Sequence, residues 1–561
     1  MYRKIMMTIA ILMLLNMIIG CTAKEPVIKA TADVAAVKQQ LEKFAPVEIA
    51  YDGSQLSEGD HQALLKLVEA AKLMDQIFLR QVYDKNPAIA EALHADKPGY
   101  EVLKAYFDVN FGPFDRLDED KPFINPEEAK PKGANYYPAD MTKEEFEQWL
   151  KDHPEDEKAF TGYFTVIRRQ GDQLVAVPYN EAYKVFLQPA ASLLKEAAQL
   201  TDNPSLKTFL NSRAEAFLSN DYFQSDMDWM DLKDHAIEVV IGPYEVYEDE
   251  LFGYKAAFES FITLVDPVDS EKLRAITQYL NELEMRLPIP DQYKNPNRGS
   301  ESPLMVVNEV FTGGDTKAGV QTIAFNLPND ERVREAKGSK KVMLKNVSKA
   351  KYDMILTPII QRVMAEKDQS RVSFDAFFYH VLLHEMVHGI GPGTIMKDGQ
   401  ETTVNRELKE LYSVLEEAKA DVVGLHLFPY MVEVGVFTPE VGAQVYASFV
   451  GSIFRSVRFG IDEAHGGANA ITLNYLMEKG AVAFDPVSER FSVVDEKIEA
   501  GMRDLSHDLL MIQALGDYDR ARAFVERYRK SSPELETVLR KLEGVPVDIR
   551  PVFAVEKELG E

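Results

Sequence analysis

His384-Glu385-Met386-Val387-His388 sets two imidazoles four residues apart, with a carboxylate beside the first. Four residues turn a helix through about 400°, so both rings leave one face about 40° apart, where neutral imidazoles can hold one zinc. Glu385, one residue from His384, could reach a water on that metal without ligating it. A catalytic zinc takes three protein ligands and keeps a fourth position for water. The next carboxylate-rich segment, expected as a helix from Glu407 to Leu427, contains Glu416-Glu417-Ala418-Lys419-Ala420-Asp421. Leu408, Leu411, Leu415, Ala418, Val422 and Leu425 give it an apolar face, and Glu417 and Asp421 share another. The expected ligands are His384, His388 and Glu417, with Glu416 and Asp421 orienting the histidine rings from behind. The plain alternative is a solvated acidic helix face, and the upstream histidine motif decides against it. His380, four residues before His384, is read as a packed or supporting residue and not a third imidazole. No Gly-x-Ser-x-Gly or phosphate-loop pattern is present to compete with this site.

Phe377 to Leu383 is almost wholly apolar, which suits a buried helix, and Gly389, Gly391, Pro392 and Gly393 then stop it. Helical patterning covers Thr31 to Phe107, with Leu64, Leu67, Val68 and Ala71 on one face, and resumes from Asn180 to about Ser219. Residues 110–140 read as a long irregular connection, and Thr142-Lys143-Glu144-Glu145 is a capping box opening a short helix. From Ile237 to about Val347, β-branched runs between Gly, Pro and Asn predict strands. Helical patterns return from Ala350. The expected organisation is a leader at 1–20, a mainly helical region at 21–235, a strand-containing region at 236–349, a helical zinc-binding region at 350–480 and a helical C-terminal region at 481–561.

The chain has 561 residues, 46% hydrophobic, with 63 basic against 90 acidic side chains. That length favours more than one lobe. A net charge of −27 argues against nucleic acid as a partner. The single cysteine, Cys21, excludes an intrachain disulfide, a multi-cysteine zinc site and an iron–sulfur cluster. Arg3 and Lys4, an apolar run and Gly20 precede it, which is a secretory signal pattern. Ile18-Ile19-Gly20-Cys21 resembles a bacterial lipoprotein lipobox, which implies cleavage before Cys21 and lipid on it. Thr22 favours the outer membrane, on the periplasmic side of a bacterial envelope.

Beyond the zinc residues, three further segments resemble those of the dipeptidyl-peptidase III metallopeptidases. Ile241-Gly242-Pro243-Tyr244-Glu245-Val246-Tyr247 is similar to that family's Gly-x-x-Glu-x-Tyr segment. Asn326-Leu327-Pro328-Asn329 resembles its Asn-x-Pro-Asn segment, and Ala464-His465-Gly466 its late histidine segment. The family pairs a zinc-binding His-Glu motif with Glu-Glu-x-x-Ala-Asp/Glu, matched by Glu416 to Asp421. One departure stands out: most members carry six residues in the zinc motif, and this chain carries five. The shorter form resembles the branch that plants fuse behind a Nudix domain; no Nudix box is present here, so nucleotide hydrolysis is not expected.

The resemblance implies a mostly α fold with a mixed α+β part, as two lobes around a cleft, a helical zinc-bearing lobe and one with a small β-barrel. It implies one Zn²⁺ per chain, oligopeptide substrates and release of dipeptides from a free N-terminus. Glu385 would be the base, Tyr247 and His465 donors to the oxyanion, and Glu245, Asn326 and Asn329 the holders of the peptide's ammonium. A monomer is favoured. Two rivals stay open: a non-catalytic peptide-binding envelope lipoprotein of the same fold, and an endopeptidase of the HExxH-plus-Glu type.

Overall fold

The computed structural model describes residues 26–295 and 304–560. The leader and Cys21 lie outside the described residues. The β-branched runs after residue 236 pair as one five-stranded sheet: β1 (Ile237–Pro243), β2 (Phe258–Val265), β3 (Leu304–Gly314), β4 (Ala324–Leu327) and β5 (Lys340–Leu344). Their order is β1-β2-β3-β5-β4. β3 and β5 run parallel and the other pairs antiparallel. β1 is buried along its whole length and β2 almost so, which is why they read as continuous apolar runs and not as alternation. The 25-residue helix Glu58–Val82, capped by Ser57, covers β2 and β3, and the helix Lys184–Leu200 packs on it in turn.

The expected small barrel is not found. Among the described residues the sheet is an open row with β1 and β4 at its edges. Closing a ring needs edge strands of matching length and stagger. β4 has four residues and β1 has seven, and no ladder joins them.

The helical part is built from α1 (Phe374–Val387), α2 (Tyr412–Glu433), α3 (Pro439–Ser456), α4 (Ala464–Glu478) and α5 (Asp495–Leu515). Ser373 caps α1 by accepting from the Ala376 amide. α1 is apolar around its circumference and lies between α2 and α3, while α2 also packs on α4 and α5. The acidic helix starts later than its pattern predicts. Val404–Leu408 forms a separate turn of helix, Lys409 breaks it at φ 53°, and α2 then runs to Glu433.

Thr142 caps the helix Lys143–Asp152 through the Glu145 amide, as its capping box predicts. The mainly helical N-terminal region also holds strands. Thr165–Gln170 and Gln173–Pro178 form a hairpin. Phe44–Ile49 pairs in parallel with Asp548–Phe553, so the two ends of the described chain meet in one ladder. Fully buried Asp548 ties that ladder to the sheet region, pairing with Lys351 at 2.9 Å and accepting from the Gln321 amide at 2.6 Å. No helix among the described residues is long and apolar enough to cross a membrane.

Candidate active site

α1 and α2 lie side by side, and their facing turns bring five predicted residues together. His384 Nδ1 is 2.8 Å from Asp421 Oδ1, and His388 Nδ1 is 2.9 Å from Glu416 Oε1. An ionised carboxylate can only accept, so both Nδ1 atoms are donors and neutral rings present lone pairs at Nε2. Those two Nε2 atoms face each other at 3.2 Å. Glu417 Oε2 completes the cluster, 3.2 Å from His384 Nε2 and 3.7 Å from His388 Nε2. Two lone pairs and a carboxylate oxygen converging at this range are the donor set a metal cation fits. His465, at the start of α4, brings its Nε2 to 3.4 Å from the same Glu417 oxygen. His384, Glu417 and His465 offer ligand atoms all within 4.8 Å of one another. His465 is the outer member, its side chain 59% exposed and its Nδ1 turned to Glu463.

The supporting residues go beyond those the sequence picks out. Lys419 is 1% exposed and donates to the carbonyls of Val387, the last residue of α1, and of Ile390 just past it. It thereby caps orphan carbonyls at a helix C-terminus, where a cation is favoured. The same ammonium pairs with Glu416 Oε1 at 2.8 Å, and Gln513 of α5 donates to Glu416 Oε2 at 2.8 Å. Burial would push the Glu416 carboxyl up, but Lys419 and the His388 hydrogen bond outweigh it and hold it down at about 2. Burial likewise opposes a charged His384, and Asp421 and Glu417 overcome it and push the ring up to about 10. A ring that must shed this proton to ligate couples metal binding to proton release. His380 is buried behind the cluster and bonds the Asp421 backbone carbonyl at 3.1 Å, in a supporting place. Lys419 was visible in the sequence as the residue three after Glu416; Gln513 gave no local signal.

Glu385 reaches the sheet while its charge still helps raise the His384 ring. Its Oε2 accepts from Lys341 Nζ of β5 at 3.2 Å. Lys341 and Asn326 of edge strand β4 are cross-strand partners, so exposed Asn326 shares the sheet face that looks toward Glu385. A cavity of about 530 Å³ opens beside the end of β1 and is lined by Tyr163, Tyr244, Glu245, Tyr247 and Asn329. Asn329 Nδ2 donates to the Tyr244 carbonyl at 3.2 Å. Burial pushes the Glu245 carboxyl up, opposed by Asn329. Tyr247 is 79% exposed and lines this cavity, not the histidine cluster. Its phenol is pushed up, first by the Glu245 charge and then by burial. Glu245, Tyr247 and Asn329 are thus together, and His465 is with the histidine–carboxylate cluster.

Residues 165–423 match the model of peptidase family M49. An Arabidopsis thaliana protein named Nudix hydrolase 3 is 40% identical over 93% of this chain and 74% of its own length. Human dipeptidyl peptidase 3 is 24% identical over 67% of this chain, which spans only 58% of that enzyme. The structure of DPP III from Caldithrix abyssi superposes with a TM-score of 0.89 at 58% identity, over 93% of this chain and all of that one. Dipeptidyl-peptidase III from Corallococcus sp. strain EGB gives 0.75 at 44% identity, over 94% of this chain and 99% of that one.

Proposed function

Because the chain belongs to peptidase family M49, and is a peptidase with a DPP III-like fold, we propose that it is a zinc enzyme releasing dipeptides from the free N-terminus of oligopeptides. The observation that carries this reading is the convergence of His384 Nε2, His388 Nε2 and Glu417 Oε2, with each Nδ1 already committed to a carboxylate. Zinc held by these three would polarise the scissile carbonyl and acidify a water.

The chain's own residues supply the rest. Glu385 accepts the water's proton and passes it to the leaving amine. His465, at the open side of the cluster, donates to the oxyanion. Tyr247 is the second donor, and the exposed segment after β1 that carries it must close on the peptide to bring it there. Glu245, Asn326 and Asn329 receive the peptide's ammonium, and the free edge of β4 accepts the peptide as an added strand.

Mass analysis of digested oligopeptides tests the reading. Successive loss of dipeptides from the N-terminus is expected, with acetylated peptides protected and about one zinc per chain. Equal cleavage of acetylated peptides would make the protein an endopeptidase instead. Glu385→Ala should keep zinc and lower kcat by about 10²–10⁴-fold. We also propose that lipid on Cys21 tethers the enzyme in a bacterial envelope, a reading that rests on the sequence alone. Cys21→Ser should move the protein from the membrane fraction to the soluble one; an unchanged distribution would end that proposal.

A further inference from the structure

The two adjacent lysines of β5 serve opposite faces of the sheet. Lys340 is buried and pairs with Glu238 at 3.2 Å beneath Trp229. Lys341 points the other way, because successive strand residues alternate, and reaches α1. There it grips one residue twice: Nζ lies 3.2 Å from Glu385 Oε2 and 3.3 Å from the Glu385 carbonyl. That carbonyl is in the last turn of α1, where carbonyls lack helical partners and a cation is favoured. Both side chains are about three-quarters covered, at 27% exposure each. The lysine's backbone is fixed on both sides, since β5 lies between β3 and β4.

We propose that Lys341 is a positioning residue for the reaction, holding the Glu385 carboxylate by one oxygen so that the other is presented to the water. The proposal rests on the reading of Glu385 as the base. Lys341 makes β5 a spacer of fixed length: one neighbour, β4, offers the edge and Asn326, while its own side chain sets the base. A carboxylate on a freely rotating side chain would sample many orientations, and a small misplacement of a catalytic group is costly.

The test compares Lys341→Met, Lys341→Arg and Glu385→Ala in zinc-loaded full chain, on a pentapeptide with a free N-terminus. Lys341→Met is expected to lower kcat about 10- to 100-fold, as losses of supporting residues do, with KM and zinc content unchanged. Lys341→Arg, which keeps a cation at similar reach, is expected to recover most of that loss. Adding Lys341→Met to Glu385→Ala should cost nothing further, because the two act through one group. A kcat within twofold of wild type in Lys341→Met overturns the proposal. So does a rise in KM alone, which would make Lys341 a peptide contact, or a loss of zinc, which would make it structural. Full activity in Glu385→Ala would overturn the base assignment itself, and that outcome is distinct from an inert Lys341→Met.

Discussion

Two groups of buried carboxylates in this protein are driven in opposite directions. Glu416, Glu417 and Asp421, between α1 and α2, are all held below the usual carboxylate range although burial opposes it. Glu245, which lines the cavity by β1, Glu259 of β2 and Asp315 just after β3 are all pushed up by burial, Asp315 to about 7. Burial is common to both groups, so it cannot be the difference. Fixed cationic partners are: His384, His388 and Lys419 stand against the first group. In the second group the acids raise one another, and the cations nearest Asp315, Arg116 and Lys130, are paired with Glu248 and do not offset the burial. The first set is complete in itself and ready for a metal. On the proposed reading, the second set is completed by a cation that arrives with the substrate, the peptide's ammonium.

Removing a member of the complete set should have the largest effect. Glu417→Ala should abolish both bound metal and peptidase activity, read by metal analysis and peptide turnover. Retained metal at one per chain would remove Glu417 from the ligand set. Asp421→Ala should leave the ligands in place but free the His384 ring, lowering metal affinity about 10- to 100-fold; competition with a chelator reads this. Glu245→Gln tests the incomplete set. It should lower kcat/KM on free-N-terminus peptides about tenfold or more, since hydrogen bonds to charged groups are worth about 1.5–3 kcal/mol, and leave the metal untouched. An equal loss on a peptide lacking the ammonium would break the comparison.

The smallest effect is expected at Asp315. Its folded pKa lies above its ordinary value of 3.8, at about 7. Such a group is neutral and harmless at pH 3, and its ionisation subtracts stability as pH rises from about 4 to about 7. Asp315→Asn should therefore melt higher than wild type at pH 8, by a few degrees, with the gap closing toward pH 4. A gap that widened on acidification would show that the nearby cations Arg116 and Lys130 outweigh the burial of Asp315.

The complete set was also the legible one. Its residues lie on two helices, where i, i+4 spacing is geometry, so His384 with His388, and Glu417 with Asp421, could be placed before any fold was known. The capping box at Thr142 was readable for the same local reason. Lys341 was invisible, since a lysine in a strand acquires meaning only when β5 is seen to face α1. Gln513 reaches Glu416 from 97 residues away, and no local pattern encodes that. The openness of the sheet was likewise hidden, because strand runs give pairing candidates but not which edge stays free. Phe44–Ile49 was passed over within a helical stretch because its partner lies at the far end of the chain.

That last pairing sets a temporal order. Among the described residues the strand Phe44–Ile49 finds its ladder partner in Asp548–Phe553, so it leaves the ribosome well before that partner exists. Lys351 and the Gln321 amide wait for Asp548 in the same way. Contacts of such sequence separation are slow to form and leave strand edges open to wrong partners meanwhile. A chain cut short just before residue 548 would therefore lose both that ladder and the buried contacts of Asp548 to Lys351 and Gln321.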